Sequence, residues 1–325
     1  MILIISASWD KHAAKVKDVI NKLGIECLVF NTDLYSKSNH LKFIRNKFSL
    51  VIDNRPIDIK LITSVWVRQP FLWYVLKKNL SEKEFLFFEY RKVEVFDFIK
   101  SFITYCENAD IFTINNIGRK SENKITNLIA AKELGFTIPE TVVGNKISDF
   151  KLLAKKYKTL VIKPFTGVAF FGKKYIGNYL VEIGSNKLLE NINKLDTYYP
   201  LQIQEKIIKK FDIRITTVGK NIFPCAIHSQ ENPASKLDFR IVDPKKIRHE
   251  SYQLPKKIED LCFKLCKKFK LNYSTIDMAF DVNNRYVYFE INPDGEYLWL
   301  EELTDLKISQ AIAQLLINPR VHKLV

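Results

Sequence analysis

Two carboxylates and one side-chain amide lie close together near the end of the sequence. Glu290 and Asn292 fall in the segment YVYFEINPDG, and Asp277 precedes them in STIDMAFDV. Both segments are rich in alternating apolar and β-branched residues, which predicts two antiparallel strands joined by a turn at 282–285. Successive side chains of a strand point to opposite faces, so Glu290 and Asn292 share one face while Ile291 points into a core.

Asp277, near the start of the partner strand, is expected to lie across from these two side chains. Carboxylate and amide oxygens are hard ligands of the kind that Mg²⁺ prefers, especially when it carries the phosphates of a nucleotide. Acids at the ends of hairpins are more often only solvated. The metal interpretation therefore depends on phosphate-binding cations elsewhere in the chain.

Three basic residues are placed where they could bind phosphate. Lys163 ends a predicted buried strand, just before a loop that contains Gly167 and Gly172, where backbone N–H groups can approach a phosphate closely. Lys124 lies in the first turns of a predicted helix, a position that favours anions. Arg240, in the segment LDFRIVD, is a further cation for phosphate oxygens.

The segment from 204 to 214 combines groups suited to a nucleoside. Gln204 and Glu205 end a predicted buried strand, and the exposed backbone that follows can bind an adenine edge, with Glu205 and Ile207 on the same side. Asp212 lies seven residues beyond Glu205 and could accept hydrogen bonds from ribose hydroxyls. Arg214 faces the same way as Asp212, because two residues separate them on a strand.

The composition is that of a globular protein. The chain has 325 residues, 47% hydrophobic and 27% charged. No apolar run reaches the roughly 20 residues that span a bilayer, and the opening MILIISASWD predicts a strand, because it has neither a basic leader nor a cleavage site. The five cysteines lack the spacing of a disulfide framework or metal site, so we expect free thiols in a reducing cytoplasm.

The charge is less ordinary. There are 51 Lys and Arg against 36 Asp and Glu, a formal net charge of +15. The lysines are dispersed; in the predicted helix 255–270, for example, Leu261 and Leu265 lie on the buried stripe and Lys264 and Lys268 on the opposite side. No RNP, zinc-finger or helix-turn-helix motif accompanies them. We therefore favour ATP and an acidic polypeptide over nucleic acid as the partners of this basic surface.

The order of predicted elements indicates the fold class. Residues 1–31 predict a β-α-β unit, but without the G-x-G-x-x-G motif of dinucleotide-binding folds. A long aromatic-rich helix is predicted over 81–106, and a second unit begins near residue 115 with a helix capped by Ser121. Hairpins dominate the last third, and a helix over 304–317 closes the chain. This succession predicts an α/β protein that becomes α+β in its C-terminal part.

These motifs, taken in order, resemble those of the ATP-grasp superfamily. The matching segments are Lys124, VIKP at 161–164, QEKI at 204–207, DIR at 212–214, DFR at 238–240, Asp277 and FEINPDG at 289–295. Each is weak alone, but their order and spacing together are specific and cover nearly the whole chain. The resemblance implies an ATP-grasp fold preceded by an N-terminal α/β domain, divided at 1–114, 115–205 and 206–325.

Three further segments narrow the resemblance to the graspetide synthetases, the maturases of microviridin-type peptides. They are SVWVRQPF at 64–71, NKITNLIAAKELGFTIPETVVGN at 123–145 and IHSQ at 227–230. Enzymes of this family phosphorylate Asp or Glu side chains of a ribosomal precursor peptide, and Thr, Ser or Lys then closes an ω-ester or ω-amide ring. Gln69 departs from the family pattern, which often has a second arginine there.

The resemblance assigns the nucleotide contacts. It implies that Lys124 and Lys163 hold the α- and β-phosphates of ATP. It also implies that Glu205 and Ile207 bind adenine and that Asp212 binds ribose.

The resemblance also assigns the reacting end of the site. Asp277, Glu290 and Asn292 would hold two Mg²⁺ ions, and Arg214 and Arg240 would stabilise the γ-phosphate and the acyl phosphate. The implied partner is a precursor peptide with a leader and an acidic core, acting with a homodimeric enzyme and without nucleic acid or membrane.

The residues also allow three other functions. The first is an ATP-grasp ligase that adds a free amino acid, such as glutamate, to a protein or small molecule. The second is a basic nucleic-acid-binding protein, and the third is an ATP-binding scaffold without turnover. His228 lies beside Ser229 and Gln230, but a structural histidine is at least as good an interpretation, so it is left out of the catalytic set.

Overall fold

The computed structural model describes most of the chain. The described residues are 1–35, 37–68, 81–115, 123–165, 169–171, 174–176, 180–191 and 200–325. Four residues that the sequence singled out, Gln69, Ser121, Gly167 and Gly172, lie outside these ranges.

The N-terminal part opens with the predicted β-α-β unit. Its elements are β1 (Ile2–Ser6), α1 (Lys11–Lys22), β2 (Cys27–Asn31), β3 (His40–Ile44), β4 (Lys47–Ile52), β5 (Arg55–Ile57), β6 (Ser64–Val67), α2 (Glu82–Asn108) and β7 (Phe112–Ile114). Strands β2, β1, β6 and β7 form a parallel sheet in that order, and β3, β4 and β5 form a small antiparallel sheet. Ser81 caps α2 through a capping box with Glu84.

The central part is a second sheet covered by helices. Its elements are α3 (Lys124–Leu134), β8 (Thr141–Gly144), α4 (Ile147–Lys156), β9 (Thr159–Lys163), β10 (Ala169–Phe171), β11 (Lys174–Ile176), β12 (Val181–Gly184), α5 (Ser185–Asn191) and β13 (Leu201–Glu205). Strands β12, β9, β13 and β8 form an antiparallel sheet, and β10 pairs with β11. Leu160 and Ile203 of this sheet pack on Phe150, Leu153 and Leu188 of the helices.

The C-terminal part contains the largest sheet. Its elements are β14 (Lys209–Val218), β15 (Asn221–Ile227), β16 (His249–Ser251), α6 (Lys256–Lys268), β17 (Tyr273–Asp281), β18 (Tyr286–Asn292), α7 (Leu298–Leu303), α8 (Ile308–Ile317) and α9 (Pro319–His322). The sheet is antiparallel, in the order β16-β15-β14-β17-β18. The predicted turn joins β17 to β18, with Asn284 at φ 60° and the Asp281 carboxylate accepting from the backbone N–H of Asn283 and Arg285.

This sheet separates two hydrophobic cores. On one face, Ile213 and Met278 pack against Leu261 of α6 and Leu128 of α3. On the other face, the sheet and α8 share a core with the N-terminal sheet, which contributes side chains such as Trp66. The N-terminal and C-terminal parts are therefore packed together, while the division at 1–114, 115–205 and 206–325 stays a prediction.

Two predicted helix boundaries differ in the structure. Helix α3 begins at Lys124 with Asn123 as its cap, because the Asn123 carboxamide oxygen accepts from the backbone N–H of Ile125 and Thr126. The helix predicted over 304–317 begins four residues later, as α8 at Ile308. Thr304 instead ends α7, because its backbone is extended and its hydroxyl donates to Leu300 O at 2.6 Å.

The five cysteines are all buried free thiols. Burial raises the pKa of Cys27 to about 12, so this thiol stays protonated at neutral pH. Among the helices of the described residues, none has the length and apolar character needed to cross a membrane.

Candidate active site

Three of the predicted side chains form one row across the large sheet. Arg214 of β14 lies directly opposite Asp277 of β17, and Asp277 lies directly opposite Glu290 of β18. Directly opposed residues of antiparallel strands have Cβ atoms roughly 5 Å apart. The register therefore brings a guanidinium and two carboxylates together on the face that the sequence predicted.

A β-bulge adjusts the last of these positions. Met278 pairs with Tyr288 and Asp277 with Glu290, so Phe289 is an extra residue in β18. The bulge changes which side chains share a face. Tyr288 and Ile291 both enter the core beside α6, whereas Phe289 and Glu290 both line a cleft.

Both carboxylates are paired with cations. Lys163 Nζ lies 3.0 Å from Glu290 Oε2, and Arg240 Nη1 lies 3.8 Å from Glu290 Oε1. Arg214 Nη1 donates to both oxygens of Asp277 at 2.9 Å. Burial acts to raise the pKa of Glu290, but the charges of Lys163 and Arg240 outweigh it and hold the pKa at about 2.

A fourth cation completes this group. Lys124 Nζ donates to Pro164 O at 2.6 Å, one residue beyond Lys163. Burial lowers the pKa of Lys124 to about 8, and the nearby charges of Lys163 and Arg240 act in the same direction, against the charge of Glu290. Four cations thus lie beside Asp277 and Glu290, and even with Asp238, which pairs with Arg240, positive charge exceeds negative charge, which suits phosphate groups.

Asn292 lies two residue pairs further along the sheet. Its neighbour across the strands is Thr275, and its Oδ1 accepts from the backbone N–H of Asp294 at 2.8 Å. In the described part of the chain, no group of three or more His, Cys, Asp or Glu side chains is arranged to hold a metal ion. The candidate metal ligands are two carboxylates and an amide oxygen, a donor set that fits Mg²⁺ when other ligands come from phosphates and water.

A cleft between the central sheet and the large sheet contains most of the predicted nucleotide contacts. We call it the inner cleft; its lining side chains include Lys163, Gln204, Glu205, Asp212, Arg240 and Glu290. Ile207 and Asp277 also line it. The Gln204 amide donates to Thr141 Oγ1 at 2.9 Å, which fixes that side chain against β8.

The oxygens of Asp212, which the sequence predicted to accept from ribose hydroxyls, already accept hydrogen bonds from other side chains of the protein. Lys209 Nζ donates to both of its oxygens at 2.9 Å, and the Ser229 hydroxyl donates to Oδ2. Burial raises the pKa of Asp212, although Lys209 and Ser229 counteract it. Lys209 also lines the inner cleft, so Asp212 presents a positioned ammonium there as well as its own oxygens. The sequence did not single out Lys209, because it lies in a run of two lysines that resembles an ordinary exposed segment.

A second cleft meets the first at three shared residues. This outer cleft is lined by Arg214, His249, Asn292 and Trp299, among others, and Phe239, Arg240 and Glu290 line both clefts. Asp238 fixes Arg240 by accepting from Nε and Nη2 at 2.8 Å. A group bound in the outer cleft would therefore lie next to the reacting end of a molecule bound in the inner one.

His228 has a structural environment. Its Nε2 lies 2.8 Å from Glu250 Oε1, and Arg248 donates to its Nδ1 at 2.8 Å. Because a guanidinium can only donate, Nδ1 is the unprotonated nitrogen and Nε2 carries the proton. His228 is not among the residues lining either cleft, which agrees with its omission from the catalytic set.

Comparison with known proteins bears on the fold of the chain. No protein-family model matches the chain. An uncharacterised protein of Methanocaldococcus jannaschii is 26% identical over 92% of this chain and 75% of its own length. The structure of a RiPP-associated ATP-grasp ligase of Chryseobacterium gregarium, in complex with ADP and a leader and core peptide, is 29% identical with a TM-score of 0.83, covering 98% of this chain and 96% of the ligase.

A second solved structure is similar over the same length. The macrocyclase MdnC of Microcystis aeruginosa, bound to its precursor peptide MdnA, is 27% identical with a TM-score of 0.80, covering 98% of this chain and 99% of MdnC. The chain therefore has the ATP-grasp fold and resembles the RiPP-associated ATP-grasp ligases along nearly its whole length.

Proposed function

We propose that this protein is an ATP- and Mg²⁺-dependent graspetide synthetase. It phosphorylates Asp or Glu side chains of a ribosomal precursor peptide and closes ω-ester or ω-amide rings with Thr, Ser or Lys. The observation that carries the proposal is the meeting of the two clefts at Arg240 and Glu290. A nucleotide in one cleft and a peptide carboxylate in the other would meet at a group of cations.

The chemistry follows from that arrangement. A peptide carboxylate oxygen attacks the γ-phosphorus of ATP, the bond to the β-phosphate oxygen breaks, and ADP leaves. A hydroxyl or amine then attacks the acyl carbon, and inorganic phosphate leaves with the electron pair of the broken C–O bond. The nucleophile loses its proton, so each ring costs one ATP and releases one water equivalent as part of the phosphate.

Each proposed residue has a role that its surroundings allow. Lys124 and Lys163 would bind phosphate oxygens, and the ordering of Arg240 by Asp238 reduces the reorganisation needed to stabilise charge on the transferred phosphate. Arg214, held by Asp277, lies on the outer side, where the acyl phosphate forms. Mg²⁺ on Asp277, Glu290 and Asn292 would neutralise phosphate charge when it is bound.

The nucleoside end of the inner cleft is proposed to bind adenosine. Gln204, Glu205 and Ile207 would contact adenine, and Asp212 with Lys209 would contact ribose. Lys209 and Ser229 both donate to the oxygens of Asp212, which holds this side chain in place for such a contact.

Further partners are part of the proposal. The net charge of +15 supports an acidic core peptide as the substrate. The sequence has no RNP, zinc-finger or helix-turn-helix motif that would favour nucleic acid instead. We also propose a homodimer, because α2 exposes a row of large apolar side chains that includes Leu86, Phe87 and Tyr90. The buried free thiols support a reducing compartment, which we propose is the cytoplasm.

The test uses the precursor peptide encoded beside the gene. Incubation with ATP and Mg²⁺ is expected to give peptide products lighter by one water per ring, with one ADP formed for each ring. Lys163→Met is expected to abolish this, whereas Lys264→Met, which removes an exposed lysine of α6, leaves the yield unchanged. Peptide of unchanged mass in the presence of active nucleotide-binding enzyme would refute the proposal.

A further inference from the structure

The segment that follows β18, the strand with two of the proposed metal ligands, is held by side chains from distant parts of the chain. Its four successive carbonyl groups, at residues 293–296, each accept a hydrogen bond from a different side chain. The pairs are Asn115 Nδ2 with Pro293 O, Arg68 Nη1 with Asp294 O, Tyr273 Oη with Gly295 O, and Arg214 Nη2 with Glu296 O. Irregular segments more often give their carbonyls to water, so this one is unusually constrained.

His12 holds the end of the same segment. Its Nε2 accepts from the backbone N–H of Tyr297 at 3.3 Å and of Leu298 at 3.2 Å. The imidazole also packs edge-to-face on the Tyr297 ring, with centroids 4.9 Å apart. Because a backbone N–H can only donate, Nε2 must be unprotonated, and the ring proton lies on Nδ1.

That tautomer is set by Asp10. His12 Nδ1 lies 3.1 Å from Asp10 Oδ1, and the Ser6 hydroxyl donates to Asp10 Oδ2 at 2.7 Å. Arg68 Nε lies 3.8 Å from the same Oδ2. Burial acts to raise the pKa of Asp10, but the hydrogen bonds from His12 and Ser6 and the charge of Arg68 hold it below its usual value. The orientation of His12 is thus fixed before it meets the segment.

The donors and acceptors from the N-terminal part have a common origin in the topology. Ser6 ends β1, Arg68 follows β6 and Asn115 follows β7, while Asp10 and His12 lie at the start of α1. The carboxyl ends of parallel strands meet at one edge of a sheet, where α/β proteins commonly bind ligands. In this protein that edge binds the segment 293–298 of the same chain.

We propose that His12 is a positioning residue, through which the N-terminal sheet fixes the segment 293–298 for the peptide reaction. The segment begins directly after Asn292; Asp294 and Glu296 within it and Trp299 directly after it line the outer cleft. Lys163, Asp277 and Glu290 lie on strands outside it. The role in the reaction rests on the proposed function, whereas the constraint on the segment does not.

The test compares two amide replacements. The carboxamide oxygen of Gln reaches the position of Nε2, so His12→Gln keeps an acceptor for Tyr297 and Leu298. The shorter side chain of His12→Asn reaches only the position of Nδ1. The two variants remove the same imidazole and differ in whether the backbone N–H groups keep their acceptor.

Two readouts separate positioning from general packing. In His12→Asn we expect hydrogen exchange at the Tyr297 and Leu298 amides to accelerate about tenfold or more, with exchange in β17 unchanged. We also expect kcat/KM for the peptide to fall about tenfold or more while KM for ATP stays within about twofold. His12→Gln should stay within about threefold of the wild type in both readouts.

Equal behaviour of the two variants overturns the proposal. If both keep wild-type exchange, His12 does not hold the segment, and if both lose it, the imidazole acts only by filling space. If KM for ATP rises in His12→Asn as much as kcat/KM for the peptide falls, the role specific to the peptide reaction is refuted. If the wild type forms no rings, the proposed function fails, and the exchange measurement still decides whether His12 positions the segment.

Discussion

Replacing Glu290 with Gln removes one charge from the centre of the site and changes little in size. The pKa of Glu290 is lowered from 4.5 to about 2, chiefly by Lys163 and Arg240 acting against burial. At about 1.4 kcal/mol for each tenfold change in the acid constant, the ionised carboxylate gains about 3 kcal/mol from its surroundings. In Glu290→Gln the ammonium of Lys163, whose side chain is only 11% exposed, loses this partner.

We therefore expect the free energy of unfolding at pH 7, without nucleotide, to fall by about 1–3 kcal/mol in Glu290→Gln. The pKa is lower in the folded than in the unfolded state, so the contribution is complete above about pH 4.5 and disappears as the pH falls to about 2. The stabilities of the wild type and the variant should converge over that range. Chemical denaturation at a series of pH values measures this, with Glu302→Gln, at an exposed carboxylate, as the control.

A double-mutant cycle isolates the ion pair. If Lys163 and Glu290 stabilise each other, Lys163→Met and Glu290→Gln should be non-additive by about 1–3 kcal/mol. Glu290→Gln should also abolish the gain in ADP affinity that Mg²⁺ gives the wild type, measured by calorimetry. Additive effects on stability would refute the ion-pair argument, and an undiminished Mg²⁺ effect would refute the assignment of Glu290 as a metal ligand.

Three further changes test other parts of the site. Because Lys124 has a pKa of about 8, the ADP affinity of the wild type, measured by calorimetry, should fall from pH 7 to pH 9, at most about tenfold per pH unit above the pKa. The affinity of Lys124→Arg should stay constant over that range. A wild-type affinity that does not change with pH would contradict this prediction. Gly295→Ala places a Cβ 1.7 Å from Thr275 Oγ1 and should lower the free energy of unfolding by about 1–3 kcal/mol in denaturant titrations, whereas Gly184→Ala, with no atom within 4 Å, should not. Arg214→Lys keeps the charge but loses the paired contacts with Asp277 and Glu296. The kcat for ring formation should therefore fall about 10²-fold or more, while ADP affinity stays within about threefold. An equal loss of kcat and of ADP affinity would contradict the position of Arg214 on the peptide side of the site.

The candidate site could be predicted from the sequence where strand periodicity decides the outcome. Alternation places Glu290 and Asn292 on one face, and a short turn brings Asp277 opposite Glu290. The structure confirms that opposition and the direction of Ile291. The bulge at Phe289 was not predictable from alternation, because a bulge depends on how two strands fit the core beneath them.

Contacts between distant segments were beyond the reach of the sequence patterns. His12 and Tyr297 are 285 residues apart, and Asn115 and Tyr273 are 158 apart. None of these four residues belongs to a local sequence motif that would indicate its partner. Only the packing of the N-terminal sheet against the large sheet brings each pair together. Lys209 was missed for a different reason: an adjacent second lysine made it resemble solvent-exposed charge.

Helix boundaries were predictable where a cap lies in the sequence next to the helix. The helix predicted over 81–106 agrees with α2 to within two residues at each end, and Ser81 caps it through a capping box with Glu84. The start of α8 was predicted too early, at Thr304 and not at Ile308, because the hydroxyl contact with Leu300 by which Thr304 ends α7 leaves no periodic signal in the sequence.

The fate of a carboxylate oxygen tests the central claim most directly. Precursor peptide labelled with oxygen-18 in its Asp and Glu side chains is incubated with the enzyme, ATP and Mg²⁺, and the released phosphate is analysed by mass spectrometry. Attack of the carboxylate on the γ-phosphorus followed by C–O cleavage predicts one labelled oxygen in phosphate for each ring closed. Rings formed with unlabelled phosphate, or label released in AMP, would contradict the account.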